Sequence, residues 1–159
     1  MQDEIPTTPP EPASAAVPTL VPALQGRRVL VLGLGASGLA MARWCARLGA
    51  EVTVVDTREA PPQAQALREA LPSAQLLSGE LSPALIEGAP YALIARSPGL
   101  APALWQALAD AAAASGVPVV GELDLFVRAL QLLAGDEAVP AYAPQLVAIT
   151  GTNGKTTVT

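Results

Sequence analysis

Two glycine-rich loops hold the residues of this 159-residue chain that can do chemistry. The first is Gly33-Leu34-Gly35-Ala36-Ser37-Gly38, in the spacing G-x-G-x-x-G. Its first glycine permits a tight turn, its second lets a phosphate approach the backbone, and its third lets the next helix pack close to the strand. The helix start offers unbonded N–H groups and a positive dipole end to an anion. Asp56 follows 18 residues after Gly38, near the distance at which an acid in such a unit meets a ribose hydroxyl. The second loop is Gly151-Thr152-Asn153-Gly154-Lys155-Thr156-Thr157. Its Gly-Lys-Thr core is that of a phosphate loop. Backbone N–H groups cradle phosphate oxygens, Lys155 reaches the terminal phosphates, and the Thr156 hydroxyl can ligate Mg²⁺. Lys155 is the only lysine among nine basic residues, and a compact, flexible charge suits that place. The general pattern G-x-x-x-x-G-K-[ST] would set a glycine at Ile149, so this loop is a shorter form of it.

The elements that position these loops are legible around them. Val29 to Leu32 is an apolar run without polar alternation, as in a strand covered on both faces. A helix is expected from Ser37 to about Leu48, ended by Gly49, and a second strand over 51–55 ends in Asp56. Beyond it we expect a loop over 57–62, a short helix over 63–71 stopped by Pro72, and a strand over 74–77. A helical turn over 82–87 follows, capped by Ser82 with Pro83 in its first position. A strand over 91–95 ends in the sharp loop Arg96-Ser97-Pro98-Gly99. Then come a helix over 102–115, a strand over 117–120 placed at an edge by Pro118, and a helix over 122–133 with apolar residues at helical spacing. Alternating strands and helices predict an α/β, Rossmann-like parallel sheet with helices on both faces and right-handed crossovers. Its ligands bind beyond the carboxyl ends of the strands, where the loops at Gly33, Asp56 and Ser97 converge.

Residues 1–25 form a tail with six prolines and no Lys or Arg, expected to be disordered and lacking the basic start of a signal peptide. Residues 134–144 resemble a linker, and an apolar strand over 145–150 feeds the second loop. The domain division is therefore tail 1–25, nucleotide-binding domain 26–133, linker 134–144, and the opening of a second, ATP-binding domain at 145–159.

A net charge of −5 argues against nucleic acid as a partner. The absence of histidine removes imidazole catalysis and histidine metal sites from these residues. The single cysteine, Cys45, allows no internal disulfide, and no stretch is long and apolar enough to span a membrane. A cytoplasmic monomer is expected.

Taken together, the two loops resemble the N-terminal part of a Mur ligase, one of the ATP-dependent enzymes that extend the peptide of the bacterial cell-wall precursor. Gly151 to Thr157 looks like that family's phosphate loop, which accounts for Ile149. Gly33 to Gly38, Asp56-Thr57-Arg58, Ser97-Pro98-Gly99 and Gly121-Glu122-Leu123-Asp124-Leu125-Phe126 look like the D-glutamate-adding branch, as does Asn153. The resemblance covers about residues 26 to 159. It implies that Gly35, Ala36 and Ser37 line a uridine diphosphate site. Asp56, Thr57 and Arg58 would hold the uracil and ribose, and Gly99 would touch the nucleotide through its backbone. Asn153 would face the sugar-peptide side. Gly151, Thr152, Asn153, Gly154, Lys155, Thr156 and Thr157 would hold ATP, with Lys155 and Thr156 catalytic and Thr156 on Mg²⁺. Asp124 is given no catalytic role. The implied reaction phosphorylates the carboxylate of UDP-N-acetylmuramoyl-L-alanine from ATP, and the amine of D-glutamate then displaces the phosphate.

Two other readings stay open on the residues. A nicotinamide-dependent dehydrogenase would use Gly33 to Gly38 and Asp56 but leaves 151–157 without a purpose. A non-catalytic nucleotide-sensing module would use both loops without turnover.

Overall fold

The computed structural model of the chain describes residues 23–134 and residue 145. Residues 1–22 of the expected tail, 135–144 of the expected linker and the second loop lie outside these residues; the two expected boundaries shift, because Leu24, assigned to the disordered tail, is buried in the core at 3% exposure and the last helix runs on to Ala134. The described domain has five strands: β1 (Arg28–Leu32), β2 (Glu51–Asp56), β3 (Gln75–Ser78), β4 (Tyr91–Arg96) and β5 (Val119–Gly121). They form one sheet in the order β3-β2-β1-β4-β5, and every pairing is parallel. Strand order reverses beside β1, so β2 and β4 flank it and their carboxyl ends open a crevice around the glycine turn.

The apolar run of β1 is explained by burial on both sides. Val29 and Val31 face one cluster with α1 (Ala36–Arg47), α2 (Ala64–Ala70) and α4 (Glu122–Ala134). Leu30 and Leu32 face a second cluster with Leu108 and Ala112 of α3 (Gln106–Ala114). All four are fully buried, each contributing roughly 1.5–3 kcal/mol of transfer free energy. Cys45 of α1 lies in the first cluster, and burial pushes its thiol up to about 12. It is an inert part of the core.

Three local expectations change. The helix expected over 102–115 is broken at Trp105, whose φ of −133° separates a 3₁₀ turn (Pro102–Leu104) from α3. The Trp105 ring lies 4.8 Å from the Arg96 guanidinium, a tertiary contact that local helical preference could not anticipate. Ser82 stands at the N-cap of a 3₁₀ turn (Pro83–Leu85) but makes no side-chain capping bond; its carbonyl accepts from Leu85 N–H instead. β5 starts at Val119 because Pro118 has no N–H to give, although its carbonyl accepts from Ile94 N–H at 2.9 Å. The edge position expected from Pro118 is the one observed. No helix among the described residues is long and apolar enough to cross a membrane.

Candidate nucleotide-binding site

The first loop is built by fit. Gly33 takes φ of +85°, which leaves the strand sharply, and its N–H donates to Val55 O at 2.8 Å. A Cβ on Gly38 would lie 1.9 Å from Gly33 O, so only glycine lets α1 start this close to the turn. Gly35 opens into free space and stands at the N-cap of α1. That helix start has no side-chain cap and no acidic residue in its first turn. Its N–H groups and dipole are therefore left for an outside anion.

Asp56 closes the turn from the β2 side. It is 1% exposed, and Oδ2 accepts from Leu34 N–H at 2.6 Å. Arg58 meets the same carboxylate as a fork, with Nε to Oδ1 and Nη2 to Oδ2, both at 2.7 Å. Its backbone N–H adds a bond to Oδ1 at 2.9 Å. The bond from the Arg58 side chain is the main reason the carboxyl is held down at about 2. Burial opposes it, and the Leu34 and Arg58 backbone N–H groups and the Arg58 charge reinforce it. A carboxylate has about four lone-pair directions, and here each oxygen already accepts two bonds. The ribose contact expected of Asp56 thus has no spare acceptor. What Asp56 presents to the crevice is the Arg58 side chain, 53% exposed, with its remaining donors.

Ser97 closes the turn from the β4 side. Its N–H continues the ladder to Leu32 O at 3.0 Å, and its hydroxyl donates to Gly33 O at 3.0 Å. These contacts enclose a crevice of about 460 Å³, within the range of small-ligand sites. Gly35, Ala36, Ser37, Asp56, Thr57, Arg58 and Gly99, all expected from the sequence, line it together. Leu100 and Leu104 line it as well and were not foreseen. Nor was the role of the Ser97 hydroxyl; a polar side chain at a strand's end, opposite the first glycine of the turn, was the available signal. Asn153 and the rest of 151–157 lie outside the described residues. Asp124 Oδ2 accepts from Gly121 N–H at 2.7 Å, holding the start of α4. No group of three or more metal-ligating residues exists among the described residues.

The family model for the Mur ligase MurD-like N-terminal domain matches residues 27–121. The chain belongs to the MurD-like Mur ligases. This Mur ligase domain is 54% identical over 137 residues to the UDP-N-acetylmuramoylalanine–D-glutamate ligase of Albidiferax ferrireducens, covering 86% of this chain and 26% of that protein. With the enzyme of the same name from Ralstonia nicotianae it is 57% identical over 133 residues, 82% of this chain and 26% of the relative. The chain spans about a quarter of the length of these curated relatives. A solved UDP-N-acetylmuramate:L-alanyl-γ-D-glutamyl-meso-diaminopimelate ligase from Neisseria meningitides overlays 69% of this chain and 31% of its own, at 14% identity and a TM-score of 0.49. That likeness is too loose to bear on function.

Proposed function

We propose that this Mur ligase domain binds the uridine diphosphate end of UDP-N-acetylmuramoyl-L-alanine for a cytoplasmic ligase that adds D-glutamate to it. The observation that carries the reading is the uncapped, acid-free start of α1 opening into the same crevice as the Asp56–Arg58 pair. The diphosphate would take the N–H groups of Ala36 and Ser37. The base and ribose would lie toward Thr57, Arg58 and the Gly99 backbone, and Arg58 rather than Asp56 would meet them directly. The crevice suits a nucleotide bearing two phosphates and leaves the remaining substrate outside, facing residues beyond this domain.

The second loop completes the reading. Gly151, Thr152, Asn153, Gly154, Lys155, Thr156 and Thr157 would hold ATP, with Asn153 toward the shared substrate and Mg²⁺ on the Thr156 hydroxyl. Lys155 would neutralise charge on the transferring phosphoryl group. In the whole ligase Lys155→Ala should abolish acyl phosphate formation and leave uridine-substrate binding intact, because the two loops belong to different domains.

The test is a set of titrations of this chain followed by calorimetry and melting temperature. UDP-N-acetylmuramoyl-L-alanine should bind and raise the melting temperature, as any ligand selective for the folded state does. NAD should do neither. Binding of NAD in preference to the uridine compound would sink the proposal and favour the dehydrogenase reading.

A further inference from the structure

Leu104 lines the nucleotide crevice beside Leu100. Leu100 packs against the second core cluster, but Leu104 is 51% exposed. An exposed leucine is ordinary by itself; here the exposure goes with a break in the backbone. Leu104 stands four residues before Leu108, which is fully buried. In an unbroken helix over 102–115 the two side chains would share a face, and Leu104 would lean toward the same cluster. Instead the chain makes its 3₁₀ turn over Pro102–Leu104 and restarts as α3 after Trp105. Leu104 then opens onto the crevice.

That turn is braced. Leu104 N–H donates to Ala101 O at 3.0 Å, and Trp105 N–H donates to Pro102 O at 3.2 Å. Arg96 touches both ends of the segment: its guanidinium lies 4.8 Å from the Trp105 ring, and its Nη1 donates to Ser97 O at 3.2 Å. The leucine is therefore held at the crevice on a fixed piece of backbone.

The crevice has two unlike walls. The β2 side carries Arg58 with its remaining donors, and the segment after β4 carries Gly99 and Leu104. A nucleobase has the same division, since its edges hold the hydrogen-bonding groups and its flat faces hold none. A diphosphate gains nothing from a leucine and is served by the open N–H groups of α1. Given the uridine diphosphate reading, on which this step rests, we propose that Leu104 is a substrate-binding residue. Its methyls cover one face of the uracil, while Arg58 meets the base from the opposite wall. Removing the exposed half of the leucine from water is worth roughly tenfold in affinity.

The full chain and UDP supply the test. By calorimetry, Leu104→Ala should bind UDP roughly tenfold more weakly than the parent chain, and Leu104→Met, which keeps the apolar contact, within about twofold of it. The melting temperature of the free chain should barely move in either variant, because the side chain is half exposed. In NMR spectra of the UDP complex, H5 or H6 of the uracil should show nuclear Overhauser contacts to the Leu104 methyls. Should Leu104→Ala fold poorly, those contacts in the parent chain decide alone. UDP affinity that Leu104→Ala leaves unaltered overturns the inference and leaves the nucleotide site standing, as do contacts to Leu104 from the ribose alone or from no part of the bound ligand. Failure of the parent chain to bind UDP at all overturns the nucleotide site and the Leu104 contact together.

Discussion

The glycine turn is held from two sides, and the two sides work differently. On the β2 side, Asp56 and Arg58 form a charged, four-bond clamp on Leu34 and on each other. On the β4 side, Ser97 offers one neutral hydroxyl to Gly33 O. Both side chains are buried, at 1% and 8% exposure for Asp56 and Ser97. The contrast lies in what their loss leaves behind. Removing the acid strands the buried Leu34 N–H and frees the half-exposed arginine into solvent; removing the hydroxyl strands one carbonyl. The crevice therefore has a strong, titratable wall and a weak, pH-insensitive one.

Asp56→Ala should break the strong wall. Loss of its charge-assisted bonds should cost about 2–4 kcal/mol of stability, read by denaturant unfolding. In the complete ligase it should weaken the uridine substrate far more than ATP, and equal weakening of both would count against the assignment.

Acid should reveal the same wall without mutation. The Asp56 carboxyl is lowered from 3.8 to about 2 in the folded chain. A depressed carboxyl contributes stability that is fully present above the unfolded value and is lost as pH falls through the folded one. The loss should come to about 2 kcal/mol between roughly pH 4 and pH 2, and Asp56→Ala should be missing that component. An unchanged acid limb in the variant would mean that other carboxyls carry it.

Ser97→Ala probes the weak wall. Its cost should be about 1 kcal/mol, the same at pH 3 and pH 7. A cost as large as that of Asp56→Ala would erase the distinction between the two sides.

Arg58→Lys should disturb folding least, because the arginine side chain is half exposed. Its effect should appear in binding, where an ammonium keeps the charge but loses the planar fork that spans both carboxylate oxygens. Calorimetry with the uridine substrate should show weaker affinity at nearly unchanged melting temperature. The opposite pattern would make Arg58 a structural residue only.

Much of this molecule was legible in its order of residues. The apolar run without alternation at Val29 to Leu32 marked β1 as a strand buried on both faces, since periodicity reports how many faces of a strand are covered. The glycine spacing at 33, 35 and 38 announced a turn whose third glycine admits no Cβ. The choice of Asp56-Thr57-Arg58 as site residues also came from sequence, and the fold brings them to one crevice with Gly35, Ala36, Ser37 and Gly99. What sequence could not settle was where each polar atom spends its bonds. Whether Asp56 faces a ribose or an arginine depends on a rotamer and on the approach of Leu34, 22 positions away. The Trp105 ring meets an arginine of β4, and the latch on Gly33 comes from a serine 64 positions distant. Local patterns encode which elements form because backbone preference and burial act along the chain. Hydrogen-bond saturation is decided only when distant segments meet.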